Sequence, residues 1–232
     1  MSWRASVLTL FPEMFPGPLG ISLIGKALEK NLWSLDVRDI REHGIGKHRS
    51  VDDTPAGGGP GMVMRADVAC AAVDAARAAN PDAPAIYLSP RGLPLTQARV
   101  TALSQGPGVV LLCGRFEGLD QRAIEARSLE EISLGDFVLA GGEIASMALI
   151  EAAVRLIPGV LGDAASSADE SFSAGLLEYP QYTRPQSFEG RDIPAVLIGG
   201  NHAEIARFRR QEAEKLTKRV RPDLWTHYEK RK

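Results

Sequence analysis

Cysteine is nearly absent from this chain, with two in 232 residues. Cys70 and Cys113 lie far apart with no paired spacing, so no disulfide framework is specified. Both read as small apolar residues of a reducing compartment, and a cytoplasmic location is expected. Long apolar runs are lacking too. None reaches the roughly 18 residues that a membrane-spanning helix needs, so no membrane association is expected. The residues before Phe11-Pro12-Glu13 lack a small-residue cleavage site and are expected to form a first strand, not a leader.

Several chemical fingerprints are also missing. No Gly-x-Gly-x-x-Gly follows a strand, and Gly57-Gly58-Gly59-Pro60-Gly61 lacks the Lys-Ser/Thr ending of a phosphate-binding loop, which removes the main support for dehydrogenase and NTPase chemistry. His43, His48, His202 and His227 form no His-Glu-x-x-His pair and have no cysteines at zinc spacing, so no metal ligands are assigned. No residue pattern speaks for or against a divalent cation. A Gly-x-Ser-x-Gly elbow is absent, which leaves a hydrolase of that type unsupported.

What is present is an ordinary globular balance, 44% hydrophobic and 24% charged, which argues against disorder. The length suits one large domain, or a medium domain with a small companion. The net charge of −2 conceals an asymmetry: residues 201–232 hold ten Lys or Arg against five Asp or Glu, leaving the rest at about −7. This basic tail reads either as a solvated helical face or as a nucleic-acid contact.

Short apolar runs alternate with helical patterns, the signature of an α/β fold with a parallel sheet. Strands are expected at Ser6 to Leu10, Leu35 to Ile40, Ala85 to Leu88, Val109 to Cys113, Glu131 to Ser133 and Phe137 to Leu139. Helices are expected at Ile21 to Lys30, Ala66 to Ala79, Thr96 to Ser104, Leu119 to Glu125 and Glu143 to Leu156, with Asn80-Pro81 stopping the second. After Pro158-Gly159 no periodicity survives. A helix resumes from Asn201 with Ile205, Phe208 and Leu216 as its apolar positions, followed by a short element from Pro222 to Trp225. The organisation expected is a catalytic domain at 1–162, a linker or lid at 163–200, and a small helical domain at 201–232. A stretch as long as 163–200 without regular pattern is expected to be partly disordered when no ligand is bound.

Three glycine-bearing turns follow candidate strands: Tyr87-Leu88-Ser89-Pro90-Arg91-Gly92, Cys113-Gly114-Arg115-Phe116-Glu117-Gly118, and Leu134-Gly135-Asp136-Phe137-Val138-Leu139 leading to Gly141-Gly142-Glu143. Singly, each is a turn. Together, beyond the carboxyl ends of strands, they are suited to hold an adenosine by backbone hydrogen bonds in an apolar slot.

At these residues the sequence resembles the bacterial tRNA (guanine-37-N1)-methyltransferases of the TrmD type, within the knotted SPOUT superfamily. The resemblance runs over nearly the whole chain. It includes Leu10-Phe11-Pro12-Glu13-Met14-Phe15, Val51-Asp52-Asp53, Gly57 to Met62, Ile157 to Gly162, Tyr182-Thr183-Arg184-Pro185 and Gly200 to Ile205. It implies a deep trefoil knot, which strand patterns do not reveal. S-adenosylmethionine is implied as methyl donor, walled by Tyr87, Leu88, Ser89, Pro90, Gly114, Glu117, Leu134, Gly135, Asp136, Phe137, Val138, Leu139, Gly141 and Gly142. Also implied are a homodimer with an active site shared between chains, and tRNA gripped by the C-terminal domain. The target is guanosine 37 of the anticodon loop, preferably after a guanine at position 36, an unpaired base of the kind that RNA enzymes extract from the stack.

Guanine N1 carries a proton that must leave as the methyl arrives, so a base is needed. By resemblance it lies in Ser167-Ala168-Asp169-Glu170-Ser171-Phe172, where many members have Asp immediately before Ser-Phe. Here Glu170 holds that place and is the favoured base, with Asp169 as the alternative. From spacing alone, both read as solvated loop carboxylates. Arg155 matches the position credited with balancing charge on guanine O6, and otherwise reads as a dipole partner at a helix end. Asp53 and the nearby glycines are taken as shapers of the RNA-facing surface. Two rivals remain: another knotted methyltransferase acting on rRNA or a ribose hydroxyl, and an RNA-binding module without catalysis.

Overall fold

The computed structural model describes residues 2–161, 170–172 and 174–231. The chain divides into two compact units, Met1–Gly162 and Asp163–Lys232. In the first unit the order is β1 (Trp3–Thr9), α1 (Ser22–Glu29), β2 (Trp33–Asp39), β3 (Asp52–Asp53), β4 (Val63–Met64), α2 (Ala66–Ala79) and β5 (Ala85–Pro94). There follow α3 (Gln97–Ser104), β6 (Gly108–Leu112), α4 (Gln121–Arg127), β7 (Glu130–Ser133) and α5 (Glu143–Val154).

Five strands form one parallel sheet in the order β2-β1-β6-β5-β7. The alternation along each strand decides which face each side chain fills. Trp3, Ala5 and Val7 of β1, Ile86 and Leu88 of β5, and Val109 and Leu111 of β6 point to one face, where α1, α3 and α5 pack. Leu8, Ala85, Tyr87, Val110 and Leu112 point to the other, covered by α2 and α4. β6, buried along its whole length, is the middle strand and therefore apolar throughout.

On the first face, Trp3 and Trp33 meet edge to face at 6.4 Å and donate their indole N–H groups to Leu103 O and Ile24 O. Each large ring is thus buried without an orphaned donor. α5 is buried on nearly every side, with Ala145, Met147, Leu149, Ile150, Ala153 and Val154 in the core. A helix this uniformly apolar is an internal one.

The second unit contains β8 (Ser187–Phe188), β9 (Arg191–Asp192), α6 (Ala195–Ile198), α7 (His202–Val220) and α8 (Pro222–Glu229). Asn201 caps α7 by accepting from the backbone N–H groups of Ala203 and Glu204 at 3.2 and 3.3 Å. β8 and β9 pair as an antiparallel hairpin.

Two expectations are corrected. Phe137 to Leu139 is not a strand but an exposed loop between β7 and α5. Residues 187–198 were expected to lack regular structure, yet they form β8, β9 and α6 and group with the C-terminal helices. Among the described residues no helix is long and apolar enough to cross a membrane.

Candidate active site

The carboxyl ends of β5, β6 and β7 open onto one cavity of about 350 Å³. That volume is at the lower end of small-molecule pockets. The strand order explains its position. β6 lies between β1 and β5, whereas the next connection crosses back over β5 to reach β7, so the loops leaving β5 and β6 part in opposite directions. A crevice at such a reversal is where open α/β sheets take ligands.

Each wall has a local cause. In the first, Leu88 and Leu93 both pair with Ile132, so Ser89 to Gly92 bulge out of the sheet. The Ser89 hydroxyl accepts from Arg91 N at 3.2 Å, and Arg91 reaches Glu131 at 3.0 Å. Gly92 must be glycine here, since a Cβ would stand 2.4 Å from the Glu131 carbonyl carbon.

The second wall runs from Gly114 to Leu119. Gly114 lies against the Tyr87 ring, where a Cβ would be 2.6 Å from Cε2. Tyr87 is itself 5% exposed, and burial pushes its phenol above the ordinary value, keeping it neutral. Glu117 N donates to Met62 O and Met64 N to Gly118 O, both at 2.9 Å, so the glycine loop before β4 is tied to this wall. A Cβ on Gly61 would stand 2.4 Å from Glu117 Oε1, so only glycine leaves room for that side chain.

The third wall is the loop from Leu134 to Gly142. Ser133 Oγ accepts from Gly135 N at 3.2 Å, and Gly142 N donates to Gly114 O at 3.0 Å, which joins this wall to the second. Beneath them Cys113 Sγ lies 3.2 Å from Ser146 Oγ. Burial pushes the Cys113 thiol far up, so it is packing and not a nucleophile.

Of the residues expected at the donor site, Tyr87, Leu88, Ser89, Pro90, Gly114, Glu117, Leu134, Gly135, Phe137, Val138, Leu139, Gly141 and Gly142 all line this one cavity. Asp136 is exposed and is not among the residues that line it. Arg91 and Arg115, not singled out from sequence, also line it. Both stand inside the motif blocks quoted above, but nothing in a linear pattern shows which way a long side chain turns.

Arg155 is the C-terminal cap of α5 in the first unit, with its backbone N–H bonded to Glu151 O at 3.1 Å. Glu170 belongs to the second unit, where it lines a cavity of about 470 Å³ with Tyr179, Arg209, Arg210 and Tyr228. There the Arg209 guanidinium stacks over Tyr179 at 4.8 Å. Asp169 lies outside the described residues. Among the described residues no group of three or more His, Cys, Asp or Glu is arranged to hold a metal ion.

Fold and cavity together define a parallel α/β protein with a glycine-lined cavity at the ends of three neighbouring strands. Comparison with known proteins narrows this class. The family model described as tRNA (Guanine-1)-methyltransferase TrmD matches residues 3–227. The chain is 68% identical over 225 residues to the tRNA (guanine-N(1)-)-methyltransferase of Rhodopseudomonas palustris, covering 97% of this chain and 90% of that one. It is equally identical to the protein so named in Nitrobacter winogradskyi, at 97% and 94% coverage. The protein of the same name in Mesorhizobium japonicum is 62% identical over 224 residues, covering 97% of both chains. The chain belongs to the TrmD family of tRNA (guanine-N1)-methyltransferases.

Proposed function

We propose that this enzyme transfers the methyl group of S-adenosyl-L-methionine to N1 of guanosine 37 in tRNA, in an anticodon loop with guanines at positions 36 and 37. One observation carries the donor assignment: three glycine-bearing loops surround a single cavity at a strand-order reversal, in a chain of this family. The residues fit the donor. Gly114, Gly141 and Gly142 keep side chains out of this part of the wall, so that the adenosine can approach the backbone closely, while Leu88, Leu134 and Leu139 supply apolar surface. When bound, the donor supplies an electrophilic methyl on a sulfonium.

The rest of the chemistry falls to the protein. The Glu170 carboxylate takes the N1 proton as the new N–C bond forms, with Asp169 as the alternative base. Charge that gathers on guanine O6 meets the Arg155 guanidinium, a fixed cation that need not reorganise during transfer. We read the enzyme as a homodimer whose chains share each active site, with the basic residues 201–232 gripping the tRNA. The reading also includes the deep trefoil knot of the SPOUT fold, supported by family membership. A cytoplasmic setting suits a chain whose buried Cys113 and partly buried Cys70 are both free thiols.

The test is direct. Labelled donor and unmodified tRNA carrying both guanines are incubated with the enzyme, and the digest is expected to contain labelled 1-methylguanosine. Label in any other nucleoside would overturn the assignment. Glu170→Gln is expected to lower the rate by about 10² to 10⁴, the usual worth of positioned proton transfer, and Asp169→Asn by far less. The reverse order would move the role to Asp169.

A further inference from the structure

Glu143, the first residue of α5, is 1% exposed and does not line the cavity. Its Oε1 accepts from Thr9 Oγ1 at 2.8 Å and from Arg115 Nε at 3.2 Å. Thr9, fully buried at the end of β1, in turn accepts from Phe11 N at 2.9 Å. Glu143 Oε2 lies 2.9 Å from Arg115 Nη2, but no hydrogen bond reaches it, so this oxygen has a charge partner without an aligned donor.

A buried, under-bonded carboxylate is a poor device for stability. Replacing a buried ion pair by apolar groups of similar size is often neutral or better, and an unsatisfied buried oxygen is a cost. What the pair holds is therefore the informative question. Arg115 spans three segments. Its guanidinium stacks on the Phe11 ring at 4.3 Å, its Nη2 touches Met14 Sδ at 3.6 Å, and its Nη1 donates to Ala140 O at 3.4 Å. The second cavity wall carries Arg115, and the third carries Ala140. The turn after Ala140 is moulded to the pair: a Cβ on Gly141 would stand 2.3 Å from Arg115 Nε and 2.6 Å from Glu143 Oε2.

We infer that Glu143 is a positioning residue of the donor cavity. Anchored to β1 through Thr9, it aims the Arg115 fork so that the Gly114–Leu119 wall and the Leu139–Gly142 wall keep a fixed separation. This rests on the reading of that cavity as the S-adenosylmethionine site. Glu143 touches no reacting atom; it acts through Arg115. Without the carboxylate, Arg115 loses the partner that holds its fork against Ala140, and the two walls lose their spacer.

The experiment uses the full-length enzyme. Binding of S-adenosylmethionine is measured by calorimetry, thermal unfolding by circular dichroism, and kcat and KM for both substrates on wild type, Glu143→Gln, Arg115→Lys and Arg115→Met/Glu143→Gln. Glu143→Gln is expected to weaken donor binding on the order of tenfold to a hundredfold, as small misplacements of positioning groups do, with KM for tRNA unchanged. Arg115→Lys keeps a cation beside Glu143, so the fold is retained, but it loses the fork and is expected to bind the donor as poorly as Glu143→Gln. The double variant should be no worse than the weaker single one, because both residues serve one contact. Wild-type donor affinity in either single variant would overturn the inference. So would a loss of melting temperature with both KM values untouched, which marks a purely structural pair. Failure of the wild type to bind S-adenosylmethionine at all would instead overturn the donor-site reading, and the two failures are thereby distinguished.

Discussion

At the scale of single residues, glycine sets the cavity's limits. Gly114 packs on Tyr87, a 5% exposed ring in the core cluster that residues of β1, α2, β6 and α4 also form. Gly114→Ala places a methyl 2.6 Å from Tyr87 Cε2, closer than real Cβ contacts, so the ring or the wall must shift. Overpacking of this kind typically costs about 1–3 kcal/mol, and the second wall is free to relieve it by moving into the cavity. Donor affinity is expected to fall by roughly tenfold or more, since about 1.4 kcal/mol is a factor of ten. Gly106→Ala is the comparison, because its Cβ would meet nothing nearer than 3.5 Å. Calorimetric titration of both variants with S-adenosylmethionine decides the matter: equal affinities would show that the Gly114 wall is not part of the binding surface. The glycines were legible in the sequence because each follows an apolar run and so marks a strand end. The Arg115–Glu143 pair was not, because its partners are 28 positions apart and only the fold of the two loops brings them together. Within the run Leu134 to Leu139 implied by the family resemblance, Asp136 alone does not line the cavity, because successive residues in an open loop face different ways.

At the scale of elements, what could be read depended on length. α2 matches its expected bounds because a fourteen-residue amphipathic pattern ends at Asn80-Pro81. The two-residue strands β3, β4, β8 and β9 carry no period to detect. Phe137 to Leu139 has the composition of a strand, but its apolar residues are exposed at the cavity mouth and pair with no neighbour. In the second unit one side chain ties an irregular segment to a helix. Thr217, fully buried in α7, accepts from Leu177 N at 2.8 Å while donating to Ala213 O at 2.7 Å. Thr217→Val keeps the shape but strands the Leu177 N–H, which costs about 1–3 kcal/mol. Amide exchange at Leu177 and along α7 is expected to quicken by a factor of about 5 to 150 where opening is local. Thr217→Ser, which keeps the hydroxyl, should exchange nearly as slowly as wild type; matching rates for Val and wild type would mean that the bond holds nothing.

At the scale of the whole molecule, the chain puts its charge and its cavity in different places. The knot proposed from the family leaves no trace in strand patterns, because threading is a property of the path and not of any segment. The charge division, by contrast, is written in the sequence: residues 201–232 carry a surplus of five positive charges in a chain of net −2. α7 and α8 give that surplus a rigid carrier, with Arg207 and Arg219 exposed along α7. If these arginines neutralise tRNA phosphates, each contact releases counterions, and the logarithm of the affinity falls linearly with the logarithm of salt concentration. The double variant Arg207→Ala/Arg219→Ala is expected to bind unmodified tRNA more weakly in low salt and to flatten that slope by about 1 per lost contact. Its affinity for S-adenosylmethionine should match wild type, because the cavity is built wholly from the first unit. Fluorescence anisotropy of labelled tRNA across a potassium chloride series measures the slope. A weaker but equally salt-sensitive complex would mean that the two arginines act by packing and not by charge, and the basic tail would revert to a solvated helical face.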